Sequence, residues 1–452
     1  MTKFPILSPH INITDLNETD GLLTNLNNHH TKLLKSYQRQ IIKYCTGEYS
    51  IEEITQLLKS QSVPPSVLGQ VEGYIERLIH WGYLIWSPTK NTIVTKELAP
   101  SIISQNVSNS DRIMNPSGLH TITISILDEC CLSCHYCSQN APVGKSVMIE
   151  FSKIKEILLE AYELGARYFG VFGGEPMLHP NIFEIIQYAY QIGYRKVYMF
   201  TRATLITYEK AKKLRSVGID TLQVTVDSHI PSQYDSIVGV KGSFNRMYRG
   251  LYYLQNVGIN VFLKMIISKQ NIENISESIK FFRDAGIKSF GLEVVVPVGR
   301  ADFDILPTEQ QIDRLKEEIS EITSLYPDLE FNLTYLKYGT PKQCAGGITS
   351  IFVYADGETG PCDKAHAFRK QLSFGNIYNE SLKDIWKDGP AFFRNMRNND
   401  ERCLSCDAKS TCLGGCILNS LILTKKIEAD PMCKNISNKE GDLFPAIETV
   451  YI

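Results

Sequence analysis

Asp128-Glu-Cys-Cys-Leu-Ser-Cys-His-Tyr-Cys-Ser138 places Cys130, Cys134 and Cys137 in the spacing Cys-x3-Cys-x2-Cys. Three thiolates can take three corners of a 4Fe-4S cube, which leaves the fourth iron without a protein ligand and open to another molecule. The stretch follows a β-branched run at 121–127 and heads an alternation of short strand-like runs and longer amphipathic periods. Further strands are expected at 167–172, 196–200, 221–226, 260–267 and 288–296, with helices between them. Repeated βα units of this length predict an α/β fold with a parallel sheet and right-handed crossovers, either doubly wound or a barrel. Six units suit an incomplete (β/α)6 barrel better than a closed eight-stranded one. Barrels of this kind carry their active sites on the loops after the strands, and the cysteine loop is one of these.

Composition narrows the classes of function. Of 452 residues, 43% are hydrophobic and 21% charged, which is ordinary for a globular chain with several cores. A net charge of -2 offers no basic surface on which a nucleic-acid backbone would release counterions, so no nucleic acid is expected as a partner. No run approaches the length of a membrane helix, and Met1-Thr-Lys-Phe-Pro5 opens no signal-peptide core. Cysteines grouped this tightly without such a signal suggest reduced thiolates on metal, and hence a cytoplasmic protein with no membrane partner.

A second group of cysteines begins at Cys344-x12-Gly357-x4-Cys362 and continues as Cys403-x2-Cys406-x5-Cys412-x3-Cys416 and Cys433. The Cys-x2-Cys pair alone reads as a zinc knuckle. From Cys344 onward the chain is rich in Cys, Gly and Asn with few long periods, so metal ligands are expected to replace a missing core. Cys131 falls outside the three-ligand register, and Cys45 sits in an apolar helical period; both read as buried hydrophobes.

Four more strand ends carry suitable groups. Gly173-Gly174-Glu175-Pro176 ends the second barrel strand, with glycines that permit close backbone approach and a carboxylate that suits an ammonium group. Thr201-Arg202-Ala203-Thr204 ends the third, Asp227-Ser228 the fourth and Pro297-Val-Gly-Arg-Ala301 the sixth. With the cysteine loop, these residues resemble the radical SAM enzymes. The resemblance implies a 4Fe-4S cluster on Cys130, Cys134 and Cys137, with S-adenosylmethionine on its fourth iron as the source of a 5'-deoxyadenosyl radical that abstracts hydrogen. It implies that Gly173, Gly174, Glu175 and Pro176 receive the cofactor's methionine ammonium, that Thr201 contacts the cofactor, and that the stretch around Arg300 lies near the adenine. The family usually has Thr-Asn-Gly where this chain has Thr201-Arg-Ala, and Arg202 reads equally as a surface cation. Asp227 suits a ribose contact and, as readily, a turn cap.

The seven later cysteines, with Phe374-Gly-Asn-Ile-Tyr-Asn-Glu-Ser-Leu-Lys-Asp-Ile-Trp386 between them, resemble the SPASM domain of peptide-modifying radical SAM enzymes. That resemblance implies two auxiliary 4Fe-4S clusters, one on Cys344, Cys362 and Cys416 and one on Cys403, Cys406, Cys412 and Cys433, for three clusters in all. No cysteine lies between Cys137 and Cys344 to complete the first auxiliary set, so its remaining iron is expected to be open, water-bound or closed by an oxygen ligand. Asp363 follows Cys362, as an aspartate does in sulfatase-maturing relatives, where it acts as a base; a second-shell role fits it as well. His366 is a weaker candidate for the same part.

The start of the chain has its own pattern. Runs at 21–26 and 31–34 suggest a hairpin, and Ser36, Ser50 and Pro65 open helical periods at 37–45, 50–58 and 65–82. Thr31-Lys-Leu-Leu34 and Ile41-Ile-Lys-Tyr-Cys-Thr-Gly-Glu-Tyr-Ser-Ile-Glu-Glu-Ile54 resemble the RiPP recognition element, a winged-helix-like, PqqD-like domain that adds a leader peptide to its sheet edge. The expected division is a recognition element at 1–88, a polar linker at 89–117, the barrel at 118–305, a bridging region at 306–340 and the SPASM domain at 341–452. The combined resemblance implies an oxidoreductase of the sactisynthase or cyclophane-forming kind, cross-linking a leader-bearing precursor peptide and fed electrons by a flavodoxin or ferredoxin. Decarboxylation, epimerisation and formylglycine formation use similar parts; a non-catalytic electron carrier and a zinc-stapled adaptor are the readings from other classes.

Overall fold

The computed structural model describes most of residues 4–88, residues 118–333 apart from 145–146, residues 344–395 and most of 400–433. The chain divides into two compact units, Met1–Gly118 and Leu119–Ile452. The expected linker at 89–117 and the hairpin connection at 26–30 lie outside the described residues.

In the first unit, β1 (Phe4–Leu7), β2 (Ile11–Asp15), β3 (Gly21–Asn25) and β4 (Thr31–Leu34) precede the helices, and β5 (Leu84–Ser87) follows them. The hairpin is β3 against β4, with Gly21 opposite Leu34, and β2 adds to β3 as a third antiparallel strand. Strands β1, β2 and β5 are additions that the sequence does not predict; β1 contains Pro5 and pairs with β5 in a two-stranded sheet, a setting that tolerates proline. The helices span Ser36–Lys43, Ile51–Ser60 and Val71–His80, and the last expected period is broken by a separate turn at Pro65–Leu68. Ile54 and Leu58 stand four apart and share a buried face with Ile41, Cys45, Tyr74 and Leu78.

Ser50 caps the second of these helices in a reciprocal box. Its hydroxyl accepts from the Glu53 N–H at 3.2 Å, and its own N–H donates to the Glu53 carboxylate at 2.8 Å. S50A is expected to lower the stability of this unit by about 1 kcal/mol, read as an earlier first transition in urea unfolding with the transition of the second unit in place.

The second unit is built on a mostly parallel sheet. Strands β6 (Thr121–Ser125), β7 (Tyr168–Phe172), β8 (Lys196–Thr201), β9 (Thr221–Thr225), β10 (Asn260–Ile267) and β11 (Ser289–Val294) are the six expected ones. Each pairs in parallel with the next. Helices such as Phe151–Glu163, Ile182–Gln191 and Ser243–Asn256 bury apolar stripes against it. Along β10 every second residue is buried while Phe262, Lys264 and Ile266 are half-exposed, so the sheet has one dry face and one accessible face.

The sheet does not stop at residue 305. After the helix Glu309–Leu325, β12 (Glu330–Asn332) pairs in parallel with β11. On the other edge β13 (Ser350–Val353) pairs in parallel with β6, and β14 (Glu358–Gly360) and β15 (Gly375–Asn376) continue the sheet antiparallel to ten strands. The segment after Cys344, expected to be irregular, thus starts as regular sheet anchored on the first barrel strand. Its strands are too short for periodicity to reveal them.

Candidate active site and metal centres

The cysteine loop leaves the end of β6 and is held by its own backbone. Ser133 and His135 donate to the carbonyls of Val238 and Ile237 at 2.9 and 3.1 Å, and Cys130 N–H donates to Pro142 at 2.9 Å. Arg300 grips it from beyond β11: Nε donates to the Cys134 carbonyl at 2.8 Å, a terminal nitrogen to the Ala141 carbonyl at 2.9 Å, and the backbone N–H to the Cys137 carbonyl at 3.1 Å. Gly299 beside it has φ +67°, and a Cβ there would stand 2.2 Å from the Cys137 oxygen, so only glycine lets this turn lie on the loop. Arg300 is therefore a clamp on the cysteine loop.

Glu175 follows β7, and its carboxylate is fully buried. Both oxygens accept from the Thr201 hydroxyl, at 2.8 and 2.9 Å; one also accepts from Arg202 N–H at 3.0 Å and the other from Met177 N–H at 3.2 Å. Burial raises the Glu175 carboxyl above its usual range, against the pull of those donors. The carboxylate expected to face an ammonium also ties two strand ends together. Gly174 lets the next turn close onto the loop, since a Cβ would fall 2.0 Å from the Glu129 carbonyl oxygen.

Arg202 and Asp227 meet each other at the strand ends. Arg202 is buried rather than a surface cation, and its guanidinium lies 2.7 Å from Asp227, whose side chain is wholly buried. The other Asp227 oxygen accepts from Ile266 N–H at 3.0 Å. Asp227 also accepts from the Tyr136 hydroxyl, and that hydroxyl accepts from Arg202. Both Asp227 oxygens are thus engaged, one with Arg202 and Tyr136 and the other with Ile266. A buried cation calls for a buried anion, and the sequence alone does not show that these two meet.

Among the later cysteines, Cys344, Cys362 and Cys416 influence one another's charge, and so do Cys403, Cys406, Cys412 and Cys433. Burial pushes the Cys362 thiol up, helped by the nearby charges of Asp363, Cys344 and Cys416. Cys403 is pushed up to about 11 by burial and then by Asp400, Cys412, Cys433 and Cys406. Asp363, half-buried at the start of a short helical turn, has its carboxyl raised by burial against the opposing pull of Lys364. His366 packs edge-on against Tyr354, with burial lowering its affinity for a proton. Cys131 is half-buried, its sulfur 3.5 Å from the Thr204 hydroxyl.

One charged group on the accessible face was missed in the sequence. Glu293 on β11 pairs with Lys264 on β10 and, at 2.6 Å, with Lys364, two residues beyond Cys362. The pair ties the barrel to the segment that carries Cys362. Burial would raise the Glu293 carboxyl, but Lys364 and Lys264 outweigh it and bring it down to about 2. A carboxyl depressed in the folded state stabilises above its unfolded value and loses that contribution as pH falls toward 2. Acid unfolding should therefore take up a proton here between about pH 4.5 and 2, with a contribution on the order of 2 to 3 kcal/mol at neutral pH. E293Q should flatten the stability profile across that window, as followed by urea unfolding at a series of pH values.

These donors fit iron-sulfur clusters. All twelve cysteines are free thiols, and the first three share one loop whose backbone is clamped. Among the described residues, no three His, Cys, Asp or Glu side chains converge as ligands of a single ion would. A cube instead spreads its thiolates over separate iron corners, in keeping with sets that sense one another's charge.

Comparison with known proteins agrees. Residues 124–282 match the Radical SAM superfamily and residues 344–407 match an iron-sulfur cluster-binding domain, SPASM. The PqqA peptide cyclase of Methylocella silvestris is 26% identical over 334 residues, covering 71% of this chain and 88% of the relative. The AdoMet-dependent heme synthase of Methanosarcina barkeri is 25% identical, covering 67% and 93%. Streptococcus suis SuiB, solved bound to the precursor peptide SuiA, shares the fold with a TM-score of 0.66 at 18% identity, covering 95% of this chain and all of SuiB. The chain therefore carries a radical SAM domain followed by a SPASM iron-sulfur domain, and its cofactors are S-adenosylmethionine and 4Fe-4S clusters.

Proposed function

We propose that the protein is a cytoplasmic oxidoreductase that cross-links a ribosomally made precursor peptide. The observation that carries the peptide reading is the separate first unit, with its own core and an antiparallel β2-β3-β4 sheet. A leader peptide added as a further strand would gain main-chain bonds at a sheet edge and hold the rest of the peptide at high local concentration, as a PqqD-like recognition element does. The similarity to PqqA peptide cyclases and to the SuiB fold supports this. The heme synthase relative matches a similar share of the chain, so the catalytic half by itself does not choose between a peptide and a tetrapyrrole.

Cys130, Cys134 and Cys137 hold the first cluster in this reading, and the two later sets hold the auxiliary clusters. When bound, the first cluster and S-adenosylmethionine supply a 5'-deoxyadenosyl radical that removes hydrogen from the substrate. Gly173, Gly174 and Pro176 shape the backbone at the cofactor's ammonium, Glu175 fixes that turn and Thr201 to each other, and Arg300 keeps the cysteine loop against the last barrel strand. Phe172 packs against Phe200 and Phe352 with centroids 5.4 and 5.5 Å apart, which firms the strands that lead to the site. The auxiliary cluster that Cys344, Cys362 and Cys416 would hold would supply the acceptor for the electron a substrate radical gives up, and Asp363 beside Cys362 would accept the proton released as a thioether or a carbon-carbon or carbon-oxygen link forms. A flavodoxin or ferredoxin supplies electrons to the first cluster.

The test incubates the anaerobically reconstituted protein, a chemical reductant and S-adenosylmethionine with the peptide encoded beside its gene, and in parallel with a porphyrin precursor. Formation of 5'-deoxyadenosine with loss of two hydrogens from the peptide supports cross-linking. Loss of carbon dioxide from the peptide would replace it with decarboxylation, and turnover of the porphyrin alone would sink the peptide reading.

A further inference from the structure

We propose that Arg202, locked to Asp227, is a positioning residue for the first cluster: a fixed buried cation that anchors the cysteine loop through Tyr136. The inference rests on Cys130, Cys134 and Cys137 being the ligands. It concerns a residue whose role is open in the sequence.

The geometry joins three otherwise separate pieces. Arg202 ends β8, Asp227 lies just beyond β9 and Tyr136 sits between Cys134 and Cys137. The guanidinium donates to Asp227 at 2.7 Å and to the Tyr136 hydroxyl, and that hydroxyl donates in turn to Asp227. Asp227 is itself immobilised, since one oxygen accepts from Ile266 N–H and its carbonyl accepts from the Asn271 amide at 2.8 Å. Glu175 holds the Arg202 backbone from the other side. The cysteine loop is thereby tied by a side chain to the ends of four successive strands, in addition to the main-chain clamp of Arg300. Arginine suits the task because its planar fork can serve a carboxylate and a hydroxyl at once, and because it keeps its charge when buried.

The experiment measures the rate at which a chelator strips the cluster from the reconstituted protein, together with the electron paramagnetic resonance signal that changes on addition of S-adenosylmethionine. R202Q and Y136F are each expected to lose the cluster to chelator about tenfold faster than the wild type and to broaden that signal, as a less fixed loop spreads the cluster's surroundings; R202K should restore most of the wild-type behaviour. D227N, which removes the carboxylate that fixes the guanidinium, should act in the same direction and serves as the variant if R202Q does not fold. A folded, cluster-loaded R202Q or Y136F that resists chelator and keeps the wild-type signal overturns the inference while leaving the ligand reading intact. If the wild-type loop binds no cluster, the ligand reading falls and takes the inference with it.

Discussion

C134A is expected to abolish production of 5'-deoxyadenosine, to the background of protein without iron, and to lower bound iron by one cluster's share. Cys134 is buried, and its carbonyl is held by Arg300 through the backbone, which the substitution leaves in place. Removing one sulfur from a packed site costs on the order of 1 kcal/mol in lost contacts, too little to unfold a unit of this size. The large loss is therefore in metal binding: two thiolates remain for a cube that needs three. Cys131, next to Cys130, supplies the control. Its thiol meets Thr204 and lies outside the ligand register, so C131A should retain iron and S-adenosylmethionine cleavage. Iron and sulfide analysis with a 5'-deoxyadenosine assay reads both variants, and C134A with full iron and normal cleavage would show that the cluster is held elsewhere.

The contrast between those neighbouring cysteines shows what a linear sequence makes legible. Ligands of one cluster that lie on one loop must keep a fixed spacing, so Cys130, Cys134 and Cys137 can be read directly. The six barrel strands were legible for a related reason, because alternation of short and long hydrophobic periods is a local signal. Contacts across the fold leave no such trace. Arg300 reaches the Cys134 carbonyl across 166 positions, and Arg202 meets Asp227 across 25. Each looks like a surface cation or a turn acid until the barrel brings its strand ends together. Ser350 opposite Thr121 is the same case in the backbone, since β13 is only four residues long and its partner precedes it by more than two hundred. The hydrogen bonds of Glu175 are the same case in a side chain, because a motif gives the identity of a residue but not which donors use its oxygens.

Glu175 gives the second large effect, and it is expected in stability and cofactor binding together. E175A removes the acceptor for the Thr201 hydroxyl, the Arg202 N–H and the Met177 N–H, three donors at a buried strand end. A buried donor left without a partner costs roughly 1 to 3 kcal/mol, so the second unit should lose about 3 kcal/mol or more unless water enters the gap. The damage should spread to S-adenosylmethionine, because the Gly174 turn lies against the Glu129 carbonyl and Glu175 N–H donates to that same oxygen at 2.9 Å. E175Q separates the two contributions. It keeps the size of the side chain and one acceptor oxygen, while its amide nitrogen must face a donor and its negative charge is gone. Stability should therefore recover in part in E175Q, whereas affinity for S-adenosylmethionine should stay low if the charge itself serves the cofactor's ammonium. Urea unfolding and equilibrium binding of S-adenosylmethionine to the reconstituted protein measure the two effects. E175Q with normal affinity would mean that the carboxylate acts only as the buried tie its hydrogen bonds describe.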